Sequence, residues 1–354
     1  MTKARSSTQL AKDMVRRSSR FLILRRFKRR CYNLNVSHSL RRSLAFTTQA
    51  GSGATDTSSG TFIGTSGVDN IVFANSDGNI LVGGQGDDDT VNFVNSGSAL
   101  YNGVISSATL NLGQGDDQVT ADTANATVFS SLQYSGDDGD DTLTLGVNAA
   151  DTVIGGFLKG GDGDDTINTG GVTSALVNGN AGDDTINVNR ASNLSTINGG
   201  QGTDTVLITG ALTGVFMNGN KGNDRITTNG GIAAGTTTVH GGQGDDILDF
   251  STINDTATGT LILNGDNGAD TLTAAATETV LNGGDGIDGL TGGALNDTFT
   301  GGAGADNINA NGGSDDIIFS ATTDFGDVVA GFTVGVDQVS LAATDLQSSG
   351  TGFT

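Results

Sequence analysis

Several residue types are absent from this chain or nearly so. Its 354 residues include no Pro, no Trp, one Cys and a single Glu, Glu278. One Cys cannot form a disulfide within the chain, which excludes a disulfide-stabilised scaffold. The lack of Pro and of a Gly-X-Y period excludes a collagen-like helix, and the scarcity of Glu and Lys disfavours long helices. No run of about 18 apolar residues occurs, so the sequence predicts no membrane-spanning helix.

Motifs of the common enzyme classes are missing as well. The chain has no H-E-x-x-H and no G-x-S-x-G in a strand–turn–helix context, and no G-K-[ST] follows a Gly-rich turn. Only two His occur, His38 and His240, which disfavours a zinc centre built from His. Acidic pairs are frequent, but they recur at regular intervals and do not form one unique pair. We therefore expect no catalytic activity.

Charge divides the chain into two parts. Residues 1–42 hold 13 of the 17 Lys and Arg and one acid, Asp13, which gives +12. The other residues hold 38 acids and four bases, which gives −34 and a total of −22. A body of such one-signed charge repels itself unless counter-cations bind to it.

A short repeat occupies the acidic part. An eight-residue motif recurs between residues 64 and 316, as in Gly160–Ile167 and Gly301–Ile308. It consists, in order, of two turn-forming residues, a spacer, Gly, any residue, Asp, any residue and an apolar residue. Successive copies are about 20 residues apart upstream and about nine apart at the C-terminal end. The aligned acids are Asp69, Asp89, Asp117, Asp141, Asp165, Asp184, Asp204, Asp224, Asp246, Asp270, Asp288, Asp297, Asp306 and Asp316.

The segments around each copy alternate apolar and polar residues. Examples are Ile186 and Val188 after the Asp, and Leu261 and Leu263 before the Gly pair. Period-two alternation predicts half-buried strands. A coil of about 20 residues cannot bury its apolar face alone, whereas stacked coils can. The sequence therefore predicts an all-β fold, a right-handed parallel β-roll or β-solenoid with Gly/Asp turns.

The pattern also predicts the structural roles of several Asn, His and aromatic residues. Asn180 and Asn220 replace the second Gly, and we expect them at positive φ, which Asn tolerates best among non-Gly residues. A row of Asn178, Asn198, Asn218, Asn264 and Asn282, with His240 in the same place, predicts a stacked Asn ladder. Large aromatic residues at inward positions are predicted to pack in the core, namely Phe93, Phe250, Phe299 and Phe319.

Stacking would place the aspartates in a column of like charges. Such a column is unstable unless cations separate the carboxylates, and an oxygen-only site suits Ca²⁺. Lys221 and Arg225 flank Asp224, so we predict that the site at Asp224 is weak or empty. The other predicted metal ligands are Asp69, Asp89, Asp117, Asp141, Asp165, Asp184, Asp204, Asp246, Asp270, Asp288, Asp297, Asp306 and Asp316.

The Gly/Asp spacing over about residues 64–318 resembles the RTX, or hemolysin-type, calcium-binding repeat, a nonapeptide of parallel β-helices. The resemblance implies several Ca²⁺ ions held between turns by the motif Asp and backbone carbonyls. The contiguous nine-residue step occurs only from Asp288 onward. We therefore expect one calcium column upstream and two columns near the C-terminal end.

The sequence also predicts how the chain is divided. Residues 1–48 form a disordered basic tail, 49–60 a Gly/Ser/Thr linker, 61–318 the calcium-binding solenoid and 319–354 a C-terminal cap. The tail around Phe325–Phe332 and Gly335–Leu341 resembles the segment that closes many RTX proteins, whose C-terminal region a type I exporter recognises. The resemblance thus implies a secreted protein with an exporter as a partner.

We interpret the sequence as a secreted calcium-binding β-roll with a structural or adhesive role at the cell surface. Calcium ions are the expected cofactor, cell-surface glycans or self-association the candidate interactions, and no nucleic acid is expected to bind the solenoid. The alternative is an accessory or secretion module of an extracellular protease, lipase or alginate epimerase whose catalytic part is absent from this chain. About 60 residues precede the repeats, which are too few for a catalytic domain and favour the first interpretation.

Overall fold

Parallel strands stack coil upon coil in the computed structural model of the protein. The chain divides at Leu44 into two units, and the second, Ala45–Thr354, contains all the residues that the structure describes. The predicted basic tail lies almost entirely outside them. The described residues are 47–49, 54–56, 60–63, 67–74, 80–84, 86–94, 104–122, 128–146, 151–253, 259–274, 276–321, 324 and 326–341.

Two parallel sheets account for all the strands of the described residues. Sheet A holds 19 strands and sheet B holds 14, one per coil. The strands of sheet A are β1 Thr47–Gln49, β3 Gly60–Ile63, β5 Ile80–Gly83, β7 Val104–Ser106, β8 Thr109–Gln114, β10 Val128–Asp138, β12 Thr152–Asp162, β14 Gly171–Ala181, β16 Ser192–Asn193, β17 Thr196–Gln201, β19 Leu212–Thr213, β20 Phe216–Lys221, β22 Ile232–Ala234, β23 Thr236–Gln243, β25 Thr260–Asn267, β27 Thr279–Asp285, β29 Thr298–Ala303, β31 Asp316–Phe319 and β33 Gln338–Leu341. Those of sheet B are β2 Ala54–Asp56, β4 Asn70–Ala74, β6 Thr90–Val94, β9 Gln118–Asp122, β11 Thr142–Leu145, β13 Thr166–Thr169, β15 Thr185–Val188, β18 Thr205–Ile208, β21 Arg225–Thr228, β24 Ile247–Asp249, β26 Thr271–Thr273, β28 Gly289–Thr291, β30 Asn307–Asn309 and β32 Val328–Ala330.

Strands pair in parallel with their equivalents in the next coil, and the register shifts between β19 and β22. Ile167 of β13 pairs with Ile186 of β15, which pairs with Val206 of β18. All three side chains are at most 1% exposed. Inward apolar side chains thus stack into rows along the solenoid, as repeat stacking requires. The predicted all-β parallel solenoid is confirmed.

The coil has one more corner than the sequence predicts. Within sheet A the strand bends at a residue with positive φ, such as Ser131 (56°), Ser174 (52°) or Leu194 (47°). In β10, β12 and β14 the bend lies inside an 11-residue strand. In the next three coils it separates a short strand (β16, β19 or β22) from the longer one.

The parallel ladder continues past both ends of the region predicted as solenoid. β1 and β2, which lie in the segment predicted to be tail and linker, pair with β3 and β4. At the other end β33, which lies in the predicted cap, pairs with β31. No described residue belongs to a helix long and apolar enough to cross a membrane.

The core rows follow the predicted alternation. Phe93, Phe250 and Phe299 are buried, and Phe319 is half-buried against the core. The Asn row is in register from Asn178 to Asn282, with His240 between Asn218 and Asn264. Its side chains pair at two steps of the row. The Asn282 amide donates to the Asn264 Oδ1 at 2.7 Å, and the Asn264 amide lies 3.3 Å from the His240 Nε2.

Candidate calcium-binding column

In the copies from Asp69 to Asp288, the acidic turn joins a sheet A strand to the sheet B strand that follows it. Glycine is required in it because neighbouring turns touch backbone to backbone. A Cβ added at Gly163, where φ is 133°, would lie 2.2 Å from the carbonyl oxygen of Gly139 in the preceding coil. Asn180 and Asn220 adopt φ of 90° and 80°, which confirms the prediction made for them.

One aspartate from each acidic turn enters a continuous column, here called the main column. The backbone N–H of Asp141 donates to the Oδ1 of Asp165 at 2.8 Å, and that of Asp165 donates to the Oδ1 of Asp184 at 2.8 Å. The same bond links every member to the next. The main column is Asp69, Asp89, Asp117, Asp141, Asp165, Asp184, Asp204, Asp224, Asp246, Asp270, Asp288, Asp306 and Asp327.

The second carboxylate oxygen of most members is buried without a hydrogen bond. Among the described residues, the Oδ2 atoms without a partner are those of Asp117, Asp141, Asp165, Asp184, Asp204, Asp224, Asp246, Asp270, Asp288, Asp306, Asp315 and Asp327. A buried polar atom without a partner costs about 1–3 kcal/mol, and more when it is charged. So regular a set of buried, unpaired carboxylate oxygens is suited to binding cations.

The pKa values of the main-column carboxyl groups also favour the binding of cations. The pKa of Asp165 is raised to about 8, chiefly by burial. A backbone hydrogen bond from Asp141 lowers this pKa, and the charges of Asp184 and Asp141 raise it. The pKa values of Asp141 and Asp184 are raised to about 7, again chiefly by burial. Without a cation, the main column holds its carboxylates in an environment that disfavours their charged form.

The space beside each Oδ2 is bounded by oxygen atoms and a Gly. A Cβ added at Gly160 would lie 2.0 Å from the Asp165 Oδ2 and 2.7 Å from the carbonyl oxygen of Gly179, one coil further on. The next coil repeats this arrangement with Gly179, the Asp184 Oδ2 and the Gly199 carbonyl, at 2.0 and 2.6 Å. Carboxylate and carbonyl oxygens are the donors that Ca²⁺ prefers. The residues present therefore fit calcium.

Backbone carbonyls would supply much of any ligand set. No three His, Cys, Asp or Glu side chains converge as a metal cluster in the described parts of the chain. Two aspartates of adjacent coils, with the first Gly carbonyls of their motifs, are the groups that would hold an ion. A bound Ca²⁺ would supply the positive charge that the stacked carboxylates lack.

A second column runs along the opposite corner near the C-terminal end. The Thr279 N–H donates to the Asp297 Oδ1 at 2.8 Å, the Asp297 N–H to the Asp315 Oδ1 at 2.9 Å, and the Asp315 N–H to the Asp337 Oδ1 at 3.1 Å. Among the described residues, these hydrogen bonds link a shorter, second column of buried aspartates near the C-terminal end. The exposed Asp88, Asp116, Asp140, Asp164 and Asp183 are linked in the same way in a row outside the main column. That calcium fills the two columns stays a prediction.

Not every Asp of the second column leaves its Oδ2 unpaired. The Asp297 Oδ2 accepts the N–H of Gly293 at 2.6 Å, and the Asp337 Oδ2 accepts that of Thr333 at 2.6 Å. Only the Oδ2 of Asp315 lacks a hydrogen-bond partner in this column. An ion at Asp297 or Asp337 would therefore compete with the protein's own backbone.

Most of the predicted acids lie in these columns, with one exception. Asp315, not Asp316, occupies the motif position, while Asp316 begins β31 and pairs with Thr298. The repeat there starts at Ala310 and Asn311, because Gly312 donates to the Gly293 carbonyl and Asn311 has φ of 60°. Aligning Gly312–Gly313 as the Gly pair shifted the prediction by one residue.

Sequence reasoning also missed members of both columns. Asp327 and Asp337 are in the columns but were not aligned with the repeat. Gly335-Val336-Asp337-Gln338-Val339 keeps the spacing of Gly, Asp and apolar residue, so that signal was present. Asp327 follows Gly326 directly and offers no such spacing.

Lys221 does not displace the Asp224 carboxylate from the main column. Asp224 keeps the same backbone hydrogen bonds as its neighbours, and Lys221 is exposed. Arg225 lies 3.6 Å from Asp249. Burial raises the pKa of Asp224 to about 6. The weak or empty site at Asp224 stays a prediction.

The fold and the site define a class of protein, a parallel β-solenoid with stacked acidic turns suited to calcium. The family model of the RTX calcium-binding nonapeptide repeat (4 copies) matches residues 176–193, 216–231, 234–259, 282–317 and 291–325. These segments of the chain therefore match RTX calcium-binding repeats, in agreement with the resemblance of the Gly/Asp spacing. Comparison with curated proteins finds no match, and comparison with solved structures finds none.

Proposed function

We propose that the protein is secreted, folds when Ca²⁺ fills the main column, and serves as a rigid structural or adhesive element at the cell surface. The observation that carries the proposal is the set of buried carboxylate oxygens without partners, repeated coil after coil. Without a cation, the buried carboxylates of the main column favour the unfolded chain. A cation reverses this because its binding energy is gained only in the folded form.

The calcium level at which such a site works supports an extracellular location. Extracellular calcium modules bind at about 10⁻⁴–10⁻³ M, and free calcium inside cells is far lower. The chain would stay unfolded during synthesis, which suits passage through a type I exporter, and would fold outside. A long solenoid with a regular surface then suits a structural or adhesive role, with glycans or further copies of the chain as candidate partners.

Two measurements test the proposal on the full chain. Circular dichroism and limited proteolysis are compared in EDTA, in millimolar Ca²⁺ and in millimolar Mg²⁺. We expect β-structure and protease resistance only with Ca²⁺, with a midpoint near 10⁻⁴–10⁻³ M. Equal structure in all three solutions would contradict calcium-dependent folding.

The second measurement locates the protein. Producing cells are separated into cytosol, envelope and medium, and the chain is expected at the surface or in the medium. Recovery of folded chain in the cytosol alone would contradict secretion. Sedimentation of the Ca²⁺-loaded chain, alone and with neutral or acidic polysaccharides, would then distinguish self-association from glycan binding.

A further inference from the structure

A row of residues on sheet A, at the position of the second Gly of each motif, alternates between glycines and polar side chains. From coil to coil, in register, the row is Gly113, Asp137, Gly161, Asn180, Gly200, Asn220, Gly242, Asp266 and Gly284. All nine have φ between 73° and 148°. The four polar side chains, here called the track, are half-buried or exposed. They lie two coils apart, about 9.5 Å, with a Gly gap between them.

Each track side chain has a polar group beside it that fixes its direction. The Ser135 hydroxyl donates to the Asp137 Oδ1 at 2.6 Å, and the His240 Nδ1 lies 2.8 Å from the Asp266 Oδ2. The two Asn of the track bond to the Asn two residues before each of them. Left-handed backbone at residues other than Gly costs about 1–3 kcal/mol and is concentrated at ligand sites. The track is therefore a preorganised set of polar groups.

A groove lies over the C-terminal part of the track. Its volume is about 780 Å³, and it crosses five successive coils. Asn220 and Asp266 of the track line it, and Gly242 and Gly284 leave gaps beside them. Because the groove runs from coil to coil, it fits a linear ligand that lies along the solenoid.

The lining of the groove favours a neutral ligand that carries hydroxyl groups. Three acids, Asp266, Asp285 and Asp324, are opposed by one base, Lys221, so polyanions are repelled. The other polar side chains of the lining are mostly Asn and Gln. Their amides both donate and accept hydrogen bonds, as the hydroxyl groups of a sugar do.

An aromatic ring lies close to this polar lining. Phe216 is 39% exposed and faces outward where the adjacent coils have Thr196 and Thr238. It lies two residues before Asn218, which lines the groove, and its ring centroid is 5.4 Å from that of His240. Such a ring offers an apolar face, against which the C–H face of a sugar can pack.

The period of the track distinguishes between linear ligands. An extended peptide repeats every two residues, about 6.6 Å, which does not match the spacing of the track. A polyproline II helix repeats every three residues, about 9.3 Å, but it is recognised by grooves lined with aromatic rings, and no aromatic residue lines this groove. In a linear β-1,4-linked glycan alternate sugars face opposite ways, so the polymer repeats every two units, at nearly the length of two coils.

We propose that the track and its groove bind a linear, neutral β-1,4-linked glycan, with one two-sugar unit for every two coils. The track side chains hydrogen-bond alternate sugars, and the Gly gaps accommodate the sugars between them. The inference deepens the adhesive role proposed above and rests on it, because the track exists only when the coils are stacked.

Isothermal titration calorimetry of the full chain in millimolar Ca²⁺ tests the ligand class. The probes are β-1,4-linked hexasaccharides of glucose and of N-acetylglucosamine, whose relative affinities distinguish the two sources of such a polymer. The comparison ligands are an α-1,4-linked glucose hexasaccharide, a uronic acid hexasaccharide and a proline decapeptide. We expect saturable binding of one or both probes and none of the comparison ligands. Binding of neither probe, equal binding of either comparison sugar, or binding of the peptide alone would overturn the inference.

Substitutions in the track locate the site. Asp266→Gly gives the residue of the neighbouring coils and should weaken binding about tenfold or more, the effect of a hydrogen bond to a charged group. Asn220→Gly should weaken it about threefold to tenfold. The matched control is Asp87→Gly, the same change at φ of 63° in an acidic turn, which should leave the affinity within about twofold.

Circular dichroism in Ca²⁺ separates the two levels of the argument. A full chain that stays unfolded in Ca²⁺ would contradict the proposed function. A folded chain that binds the probes equally well with and without the two track substitutions would overturn this inference alone, as would an equal loss in Asp87→Gly.

Discussion

We expect the calcium-free chain to fold at acid pH, where its buried carboxyl groups are protonated. Ten aspartates of the main column have pKa values raised to about 6–8, namely Asp89, Asp117, Asp141, Asp165, Asp184, Asp204, Asp224, Asp246, Asp270 and Asp288. In an unfolded chain each would titrate near 3.8. Between about pH 4 and pH 8 the folded, calcium-free chain therefore binds more protons than the unfolded chain.

The sign of the effect follows from linkage. When the folded form binds more protons, the free energy of unfolding falls as pH rises. Acid-side stability is present below about pH 4 and is lost as pH rises through 6–8. One pKa unit corresponds to about 1.4 kcal/mol. Counting only one unit for each of the ten carboxyls, to allow for solvent screening, gives about 14 kcal/mol, which equals the whole stability of a typical domain at about 5–15 kcal/mol.

The assay is circular dichroism and limited proteolysis of the full chain in EDTA between pH 3.5 and pH 8. We expect β-structure and protease resistance at pH 3.5 and their loss by pH 8, with millimolar Ca²⁺ restoring both at pH 8. Protons and calcium compete for the same oxygens, so the Ca²⁺ midpoint should rise as pH falls. A calcium-free chain that is equally folded at pH 3.5 and pH 8, or better folded at pH 8, would refute the reasoning.

Three further predictions concern single residues. Gly160→Ala would place a Cβ 2.0 Å from the Asp165 Oδ2, whereas a Cβ at Gly83 meets nothing within 4 Å. In thermal unfolding with Ca²⁺, the free energy of unfolding should fall by about 1–3 kcal/mol for Gly160→Ala and hardly at all for Gly83→Ala. Equal losses would contradict the close packing of Gly160 against the Asp165 carboxylate. Asp165→Asn removes a buried charge, so it should stabilise the folded chain in EDTA at pH 8 by about 1 kcal/mol or more and weaken the response to Ca²⁺. Asp164→Asn, at an exposed position, should have neither effect when a calcium titration is followed by proteolysis. The same effects in both variants would count against calcium binding by the main column. Lys221→Gln should raise calcium occupancy beside Asp224 towards that beside Asp165 in anomalous diffraction, while strong density there with Lys221 in place would show that the lysine has no effect.

The sequence predicts the solenoid because its signals are local and repeated. Alternation at Ile186 and Val188, Gly at the turn and Asp two residues later recur so often that one imperfect copy changes little. The main column follows once coils are stacked in register. Where a copy is imperfect, the register of strand pairing between coils determines which Asp enters a column, and the spacing of residues in the sequence does not. Asp315 takes the place expected for Asp316 because Ala310 and Asn311 adopt the turn that the Gly pair forms elsewhere.

Other features are set by packing between coils, which a single coil does not encode. The left-handed bend at Ser131, Ser174 and Leu194 uses residues that are not typical of positive φ, so no motif marks it. The close approach of the Asp141 carboxylate to Gly136 is likewise set by the folded coil and by no single residue.

The positions of bound ions test the account most directly. Anomalous diffraction from crystals grown with Ca²⁺ would show where calcium lies along the solenoid. We predict a row of peaks beside the Oδ2 atoms of the main column, and a second row only near Asp315. Peaks confined to exposed carboxylates such as Asp140 and Asp164, or no peaks beside the buried Oδ2 atoms, would contradict the claim that these aspartates are the calcium ligands.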